Sequence, residues 1–333
     1  MYTDLYGLTE RPFQLTPDAR FWFESRTHKK AMAYLGYGLA QGEGFIVVTG
    51  EIGAGKSTLV AHLMATIDRE RLNAVSLVST QVEGDDMLRL TAQGLGIQTG
   101  GAAKAQILDR VEQRLREEAG RGKRTLLIVD EAQNLPTSAL EELRMLSNFT
   151  SQGRALIQIF LLGQPEFRAR LAEDQGLEQL RQRVIASHHL DAMEANEVEP
   201  YFVHRLAVAG WQGRPGFEPE AFAALHRHSG GVPRQLNQIA ARVLLHAGME
   251  QSDTVSGAAV EAVVADMAGD RPAKAAERVL PLRSVPETSA DGALERRIAA
   301  LEARLEEQEG AVRRVLTLLI DWVENEPRRS NAA

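Results

Sequence analysis

Apolar residues in this chain gather in short, nearly continuous runs: FIVVT (45–49), AVSLVS (74–79), TLLIVD (125–130), ALIQIFLLG (155–163) and VIASHHL (184–190). Strict alternation marks a strand with one wet face. Unbroken runs rich in Val, Ile and Leu fit strands covered on both faces. Between most of these runs lie stretches of helical period, at 56–70, 85–95, 104–119 and 137–150. Strand and helix in alternation predict an α/β fold, a parallel sheet sandwiched between helices.

The pattern changes after Leu190. NEVEPYFVHRLAVAG, EPEAFAALHRHSGG, PRQLNQIAARVLLHAG and SGAAVEAVVADMAG read as successive helices stopped by glycine. They predict a small all-helical domain over 193–268, behind a core over 43–192 and an N-terminal lead-in segment over 1–42. Residues 269–292 hold Pro272, Pro281 and Pro286 with little periodicity and read as a linker. The last segment, 293–325, is periodic again. Leu294, Ile298, Leu301, Leu305, Gln308, Val312, Val315, Leu319 and Trp322 step by four and three, a heptad seam with one polar defect at Gln308 beside Gly310.

Composition narrows the function classes. The chain has 333 residues, 44% hydrophobic and 25% charged, which leaves room for two domains. A net charge of −7 provides no whole-chain positive field for nucleic acid, although a local basic patch stays compatible with it. With no cysteine, disulfides, thiolate metal sites and cysteine nucleophiles are ruled out. The start, MYTDLYGLTERPF, lacks the basic and apolar regions of a signal peptide. No apolar run approaches the roughly 20 residues of a membrane span, and VLTLLIDWV is interrupted by Asp321. The expectation is a soluble cytoplasmic chain.

The candidate chemistry lies at the end of the first strand. Gly50, Glu51, Ile52, Gly53, Ala54, Gly55, Lys56, Ser57 and Thr58 spell G-x-x-x-x-G-K-S-T, the Walker A pattern. Glycines let the backbone curl so that several N–H groups face phosphate oxygens, and the helix that follows adds its positive end. Lys56 can reach the β- and γ-phosphates, and Ser57 can ligate Mg²⁺. The bland alternative, a chance glycine turn, is weakened by the strand before it and the helix after it. TLLIVD then ends in Asp130-Glu131, the Walker B form. Asp130 would hold Mg²⁺, largely through water, and Glu131 would orient or deprotonate the attacking water. Here the alternative is a pair of acids capping the next helix.

Beyond these motifs, the chain from MYTDLYGLTERPFQLTPDARFWF through GEIGAGKST, VDEAQNLPTSALEELRMLSNF, IFLLGQPEF and LRQRV to GGVPRQLN resembles the general secretion pathway protein A (ExeA/GspA) type of AAA+ ATPase. The resemblance covers about residues 1–268, and within the family the chain looks closer to the subfamily associated with PEP-CTERM/exosortase loci. It implies an AAA+ αβα sandwich with a five-stranded parallel sheet and a helical lid. It also implies that Arg234 is the sensor-2 arginine and Gln164 the sensor-1 residue. Arg183 in LRQRV matches the arginine-finger region, with Arg181 as its competitor. Pro12, Phe13, Thr16 and Pro17 fall in a segment that in the family lies near the adenine, though a structural lead-in explains them equally. His28 reads as a packed or half-exposed histidine, and His188 and His189 have no third ligand spaced for a metal.

The expected activity is Mg²⁺-dependent hydrolysis of ATP to ADP and phosphate, at an interface between subunits of a ring-shaped homo-oligomer, a hexamer among the candidates. The expected role is an assembly or regulatory motor or switch in an envelope export system, that for exopolysaccharide, with a partner met through the C-terminal coiled-coil-like helix. That role would leave the protein cytoplasmic or peripheral at the inner membrane. Two other classes remain: a DNA-associated AAA+ regulator resembling TniB/TnsC transposition proteins, disfavoured by the acidic balance, and a nucleotide-gated scaffold without turnover.

Overall fold

Each of the apolar runs becomes a strand of one parallel sheet. A computed structural model describes residues 2–78 and 82–269; the expected linker beyond Gly269 and the heptad segment 293–325 lie outside the described residues. The strands are β1 (Phe45–Gly50), β2 (Leu72–Val78), β3 (Arg124–Asp130), β4 (Ile157–Gly163) and β5 (Val184–Leu190), in spatial order β2-β3-β4-β1-β5. All four pairings are parallel.

Successive residues of a strand point to opposite faces, and here both faces are apolar. Phe45, Val47, Leu127, Val129, Ile159 and Leu161 enter one core. Ile46, Val48, Leu126, Ile128, Phe160 and Leu162 enter the other. The first is covered by α3 (Gly84–Gly94), α4 (Lys104–Gly120) and α5 (Thr137–Leu146), the second by α1 (Arg26–Gln41) and α2 (Lys56–Thr66). α1 starts at Ser25, whose hydroxyl accepts from the His28 N–H, and stops at Gly42 in the left-handed conformation, φ 74°.

Element ends move from the expected ones for local reasons. α2 stops at Thr66 because Asp68 turns the chain: its side chain accepts from Glu70 N and its carbonyl from Leu72 N. α5 stops at Leu146, and β4 begins only at Ile157. Residues between them form a tight hairpin, Thr150–Ser151 against Arg154–Ala155.

The lid holds α7 (Ala195–Val208), α8 (Pro219–Ser229), α9 (Pro233–Met249) and α10 (Gly257–Gly269), joined to the core by β5 and preceded in the chain by α6 (Pro165–Glu173). It is not all-helical. Gly216–Phe217 pairs in parallel with Thr254–Val255. The first residues of the chain complete the lid core: Tyr2, Tyr6, Leu8 and Phe13 pack with Phe202, Leu206, Leu225, Val243 and Leu244. The Tyr6 hydroxyl donates to the Ser252 carbonyl (2.9 Å) and Thr9 N to the Ala209 carbonyl (2.9 Å). The segment expected as one lead-in therefore divides in three. Residues 2–13 belong to the lid, α1 belongs to the core, and the stretch between them crosses from one to the other. Core and lid fall within one compact unit.

Phe160 is fully buried at the centre of the sheet. Replacing it with alanine should destabilise the protein by about 3–5 kcal/mol, read as a lowered midpoint in urea unfolding. A shift below about 1 kcal/mol would contradict its place in a well-packed core.

Candidate functional site

Strand register brings the chemistry to one edge of the sheet. Val129 pairs with Leu161 and Leu161 with Val47, so β3, β4 and β1 end on the same side of the sheet, each reaching slightly further than the last. Asp130 and Glu131, Gln164 and the Gly50 bend all follow those ends, at the crevice where parallel sheets bind ligands.

The bend itself depends on two glycines. Gly53 and Gly55 have φ of 87° and 99°, a region L-residues rarely enter. Each is also crowded. A Cβ on Gly53 would lie 2.4 Å from the Cβ of Arg234, and one on Gly55 would lie 2.6 Å from Nε2 of His28. α2 begins at once after Gly55 with no side-chain cap, leaving its first N–H groups for the loop. Lys56 is buried, and its ammonium donates to the carbonyls of Gly50 (2.6 Å) and Glu51 (3.0 Å). Burial pushes its pKa down from the ordinary value, against the opposing pull of Glu131, Asp130, Glu51 and Glu166.

The acids are held with equal care. Ser57 Oγ donates to Asp130 Oδ2 (3.4 Å), and Glu131 N donates to Asp130 Oδ1 (2.8 Å). Burial raises the Asp130 pKa; the neighbouring Glu131 charge adds to the rise, while the Glu131 N–H and Lys56 oppose it. Glu131 sits at φ 55°, ψ 41°. A non-glycine residue there stores strain of order 1–3 kcal/mol and persists only where its surroundings impose it. Those surroundings are amides. Oε2 of Glu131 accepts from the side chains of Gln133 and Gln164 (3.3 Å for the latter), and Gln133 Oε1 accepts from Gln164 N (3.0 Å).

The lid closes over this arrangement. Arg234 is the second residue of α9, and its N–H donates to the Gly53 carbonyl (3.2 Å). Between core and lid lies a cavity of about 520 Å³. Its lining joins the polar Lys56, Ser57, Thr58, Glu131, Gln164 and Arg234 to the apolar Leu15, Pro17, Phe21, Trp22 and Phe23, together with Tyr201, Arg205 and Asn237. Such a cavity suits a ligand with an anionic end and a flat apolar end.

Most residues anticipated from the sequence meet here; some do not. Pro17 lines the cavity, whereas Phe13 is buried in the lid core. His28, read as packed or half-exposed, is buried and packs against the bend at Gly55. Its Nδ1 lies 2.7 Å from Ser25 Oγ and its ring meets Trp22 edge-on. Arg183 is at the other end of β5, where its carbonyl accepts from Phe45 N and its guanidinium bonds Ser147 Oγ (3.1 Å). Five residues of strand separate that level from Gly50, roughly 16 Å at about 3.3 Å per residue. Arg181 is engaged with the carbonyls of Leu171 (3.3 Å) and Ala172 (2.7 Å). His188 contacts Thr27 and His189 contacts Thr49; among the described residues no His, Asp and Glu cluster could hold a metal ion. No helix of the described residues is long and apolar enough to cross a membrane.

Sequence reading missed Phe21 to Phe23, Gln133, Tyr201, Arg205 and Asn237, which line or frame the site. The one signal for Arg205 was a charge set in the apolar stripe Val198, Tyr201, Phe202, Leu206 of α7.

An AAA domain model matches residues 39–171. General secretion pathway protein A of Aeromonas hydrophila is 37% identical over 247 residues, 74% of this chain. The chain spans 45% of that relative's length. Among solved structures, Cdc6p of Pyrobaculum aerophilum gives a TM-score of 0.60 at 15% identity, over 77% of this chain and 70% of that one. The Aeropyrum pernix ORC2 protein gives 0.57 at 17%, over 77% and 71%. A Drosophila ORC structure bound to DNA gives 0.58 at 17%, over 80% and 66%. These likenesses are of fold: a P-loop AAA architecture with a central parallel sheet, as described above.

Burial holds the His28 imidazole down at about 4, from an ordinary 6.5. Between those values the unfolded chain binds a proton that the folded one refuses, so stability should fall as pH drops from about 6.5 to about 4, with no contribution above. His28→Gln should flatten that part of the stability curve in urea titrations. An unchanged slope would mean that the imidazole is not shielded.

Proposed function

Because this chain carries an AAA domain and is a homologue of general secretion pathway protein A, we propose that it binds Mg·ATP in the core–lid cavity and hydrolyses it to ADP and phosphate. The observation that most supports this is a single arrangement. Lys56, Ser57, Glu131, Gln164 and Arg234 converge on one cavity whose lining also includes Leu15, Pro17, Phe21, Trp22 and Phe23.

The N–H groups of the Gly50–Gly55 bend and the start of α2 receive the β- and γ-phosphate oxygens. Lys56 turns from the Gly50 carbonyl, 2.6 Å away, toward those oxygens. The Ser57 hydroxyl and the Asp130 carboxylate, 3.4 Å apart, would hold a hard divalent cation, Asp130 largely through water. A magnesium ion there would supply charge neutralisation at the phosphates. Glu131, fixed by two glutamine amides, orients the water and accepts its proton. Arg234 reaches the γ-phosphate from the lid, so its loss on hydrolysis changes what holds α9 against the core.

Arg183 acts on the site of a neighbouring copy. Its place at the far edge of the sheet keeps it from its own site and leaves it at a surface that a second chain can meet. This makes the working unit a homo-oligomer. We extend the reading to a regulatory switch in an envelope export system, serving exopolysaccharide export, with the C-terminal segment 293–325 meeting the partner. The export setting rests on the Aeromonas relative alone, and the exopolysaccharide setting on the resemblance to proteins of PEP-CTERM/exosortase loci.

Two variants test the site and its sharing together. Glu131→Gln should bind ATP yet lose turnover. Arg183→Ala should lose ~10³-fold or more in rate, the contribution of a finger in trans. Mixed, the two should regain activity, because the intact Arg183 of one serves the intact Glu131 of the other. Phosphate release that stays at the level of the separate variants would refute the shared site, and full activity of Glu131→Gln alone would remove that carboxylate from its role.

A further inference from the structure

Arg205 stands in the apolar stripe of α7 and is only 6% exposed. Among the described residues no carboxylate comes within ion-pair distance of it. Its donors go instead to the Pro12 carbonyl (Nε, 2.7 Å), the Gln14 carbonyl (Nη2, 3.3 Å) and the Tyr201 hydroxyl (Nη1, 3.3 Å). That hydroxyl donates in turn to Asn237 Oδ1 on α9 (2.8 Å). The guanidinium carbon lies 4.6 Å from the centroid of the Phe21 ring.

A buried cation without a counter-ion is costly, and carbonyls and ring faces only partly replace its hydration. Leucine or methionine would satisfy the packing of α7 at no such cost. What only a guanidinium can do here is gather two carbonyls of a passing chain while its charged carbon sits over an aromatic ring. The Gln14 carbonyl belongs to the stretch that crosses from lid to core, and Pro12 lies at its lid-side start. Among the described residues, Arg205 makes the hydrogen bonds that join the lid helices to Pro12 through Phe23. The other polar contacts of that stretch stay within the N-terminal segment, such as the exposed Arg20 with Glu10 and Asp18, and contribute little. The same stretch supplies Leu15, Pro17, Phe21, Trp22 and Phe23 to the cavity wall.

We propose that Arg205 is a positioning residue for the nucleotide: it pins the N-terminal crossing segment to the lid and so creates the wall against which the base and ribose rest. The inference rests on the reading of the cavity as a nucleotide site. Affinity for the base-bearing half of the ligand therefore depends on Arg205, and affinity for the triphosphate half does not.

Calorimetry on the full chain with magnesium separates the halves, using β,γ-imido-ATP and inorganic tripolyphosphate as probes. Arg205→Met, close in length and apolar, should raise the Kd for the nucleotide at least tenfold and leave that for tripolyphosphate within twofold. Arg205→Lys should fall between. Trp22→Ala should weaken the nucleotide alone, and joined to Arg205→Met it should add little, since both act on one wall. Equal loss of both probes in Arg205→Met, or an unchanged nucleotide Kd, would overturn the proposal. Should circular dichroism show Arg205→Met unfolded, Arg205→Lys carries the test by the same split. A wild-type chain that binds neither probe would instead sink the nucleotide reading itself.

Discussion

The approach of α9 to the bend at Gly53 is the constraint on which the site depends. The Arg234 N–H donates to the Gly53 carbonyl across 3.2 Å, and no side chain fits between them, since a Cβ on Gly53 would meet that of Arg234 at 2.4 Å. Two demands thus fall on one residue. The loop needs φ 87°, which glycine supplies, and the lid needs a surface without a side chain. Where that contact forms, the phosphate-facing loop becomes one wall of the cavity between core and lid. Arg234 then lines the same space as Lys56 and Glu131.

The charges of that space are poised for exchange. Lys56 is held by loop carbonyls and pushed toward its neutral form by burial, while Asp130 is pushed the opposite way, toward its protonated form, by the same cause. Phosphate oxygens give the ammonium a better partner than carbonyls do, and a divalent cation gives the carboxylate a reason to stay charged. Glu131 is treated differently. Its strained backbone and two amide donors fix direction, which is what a group that must aim a water molecule needs.

Much of this was legible in the sequence, because it is written in local patterns. Unbroken Val, Ile and Leu runs announce strands buried on both faces, and Gly50 to Thr58 with Asp130-Glu131 announce the phosphate end of the site. What stayed hidden is set by tertiary contact. Nothing in MYTDLYGLTERPF marks Tyr2, Tyr6 and Phe13 as part of a core whose other members lie some two hundred residues later. Phe21 to Phe23 look like any short aromatic cluster until the lid places Tyr201 opposite them. Arg205 shows in the sequence as a flaw in an amphipathic pattern, and only the carbonyls it meets explain it. The pairing of Gly216–Phe217 with Thr254–Val255 is likewise too short and too non-local to read from the sequence.

The account makes loop and lid a single binding surface, and amide hydrogen exchange tests that most directly. On addition of ATP and magnesium, the amides of Gly53 to Thr58 and those of the first turn of α9, from Arg234 onward, should slow together, with the Phe21 to Phe23 stretch following. Slowing confined to the loop, with α9 and the crossing segment unmoved, would contradict it.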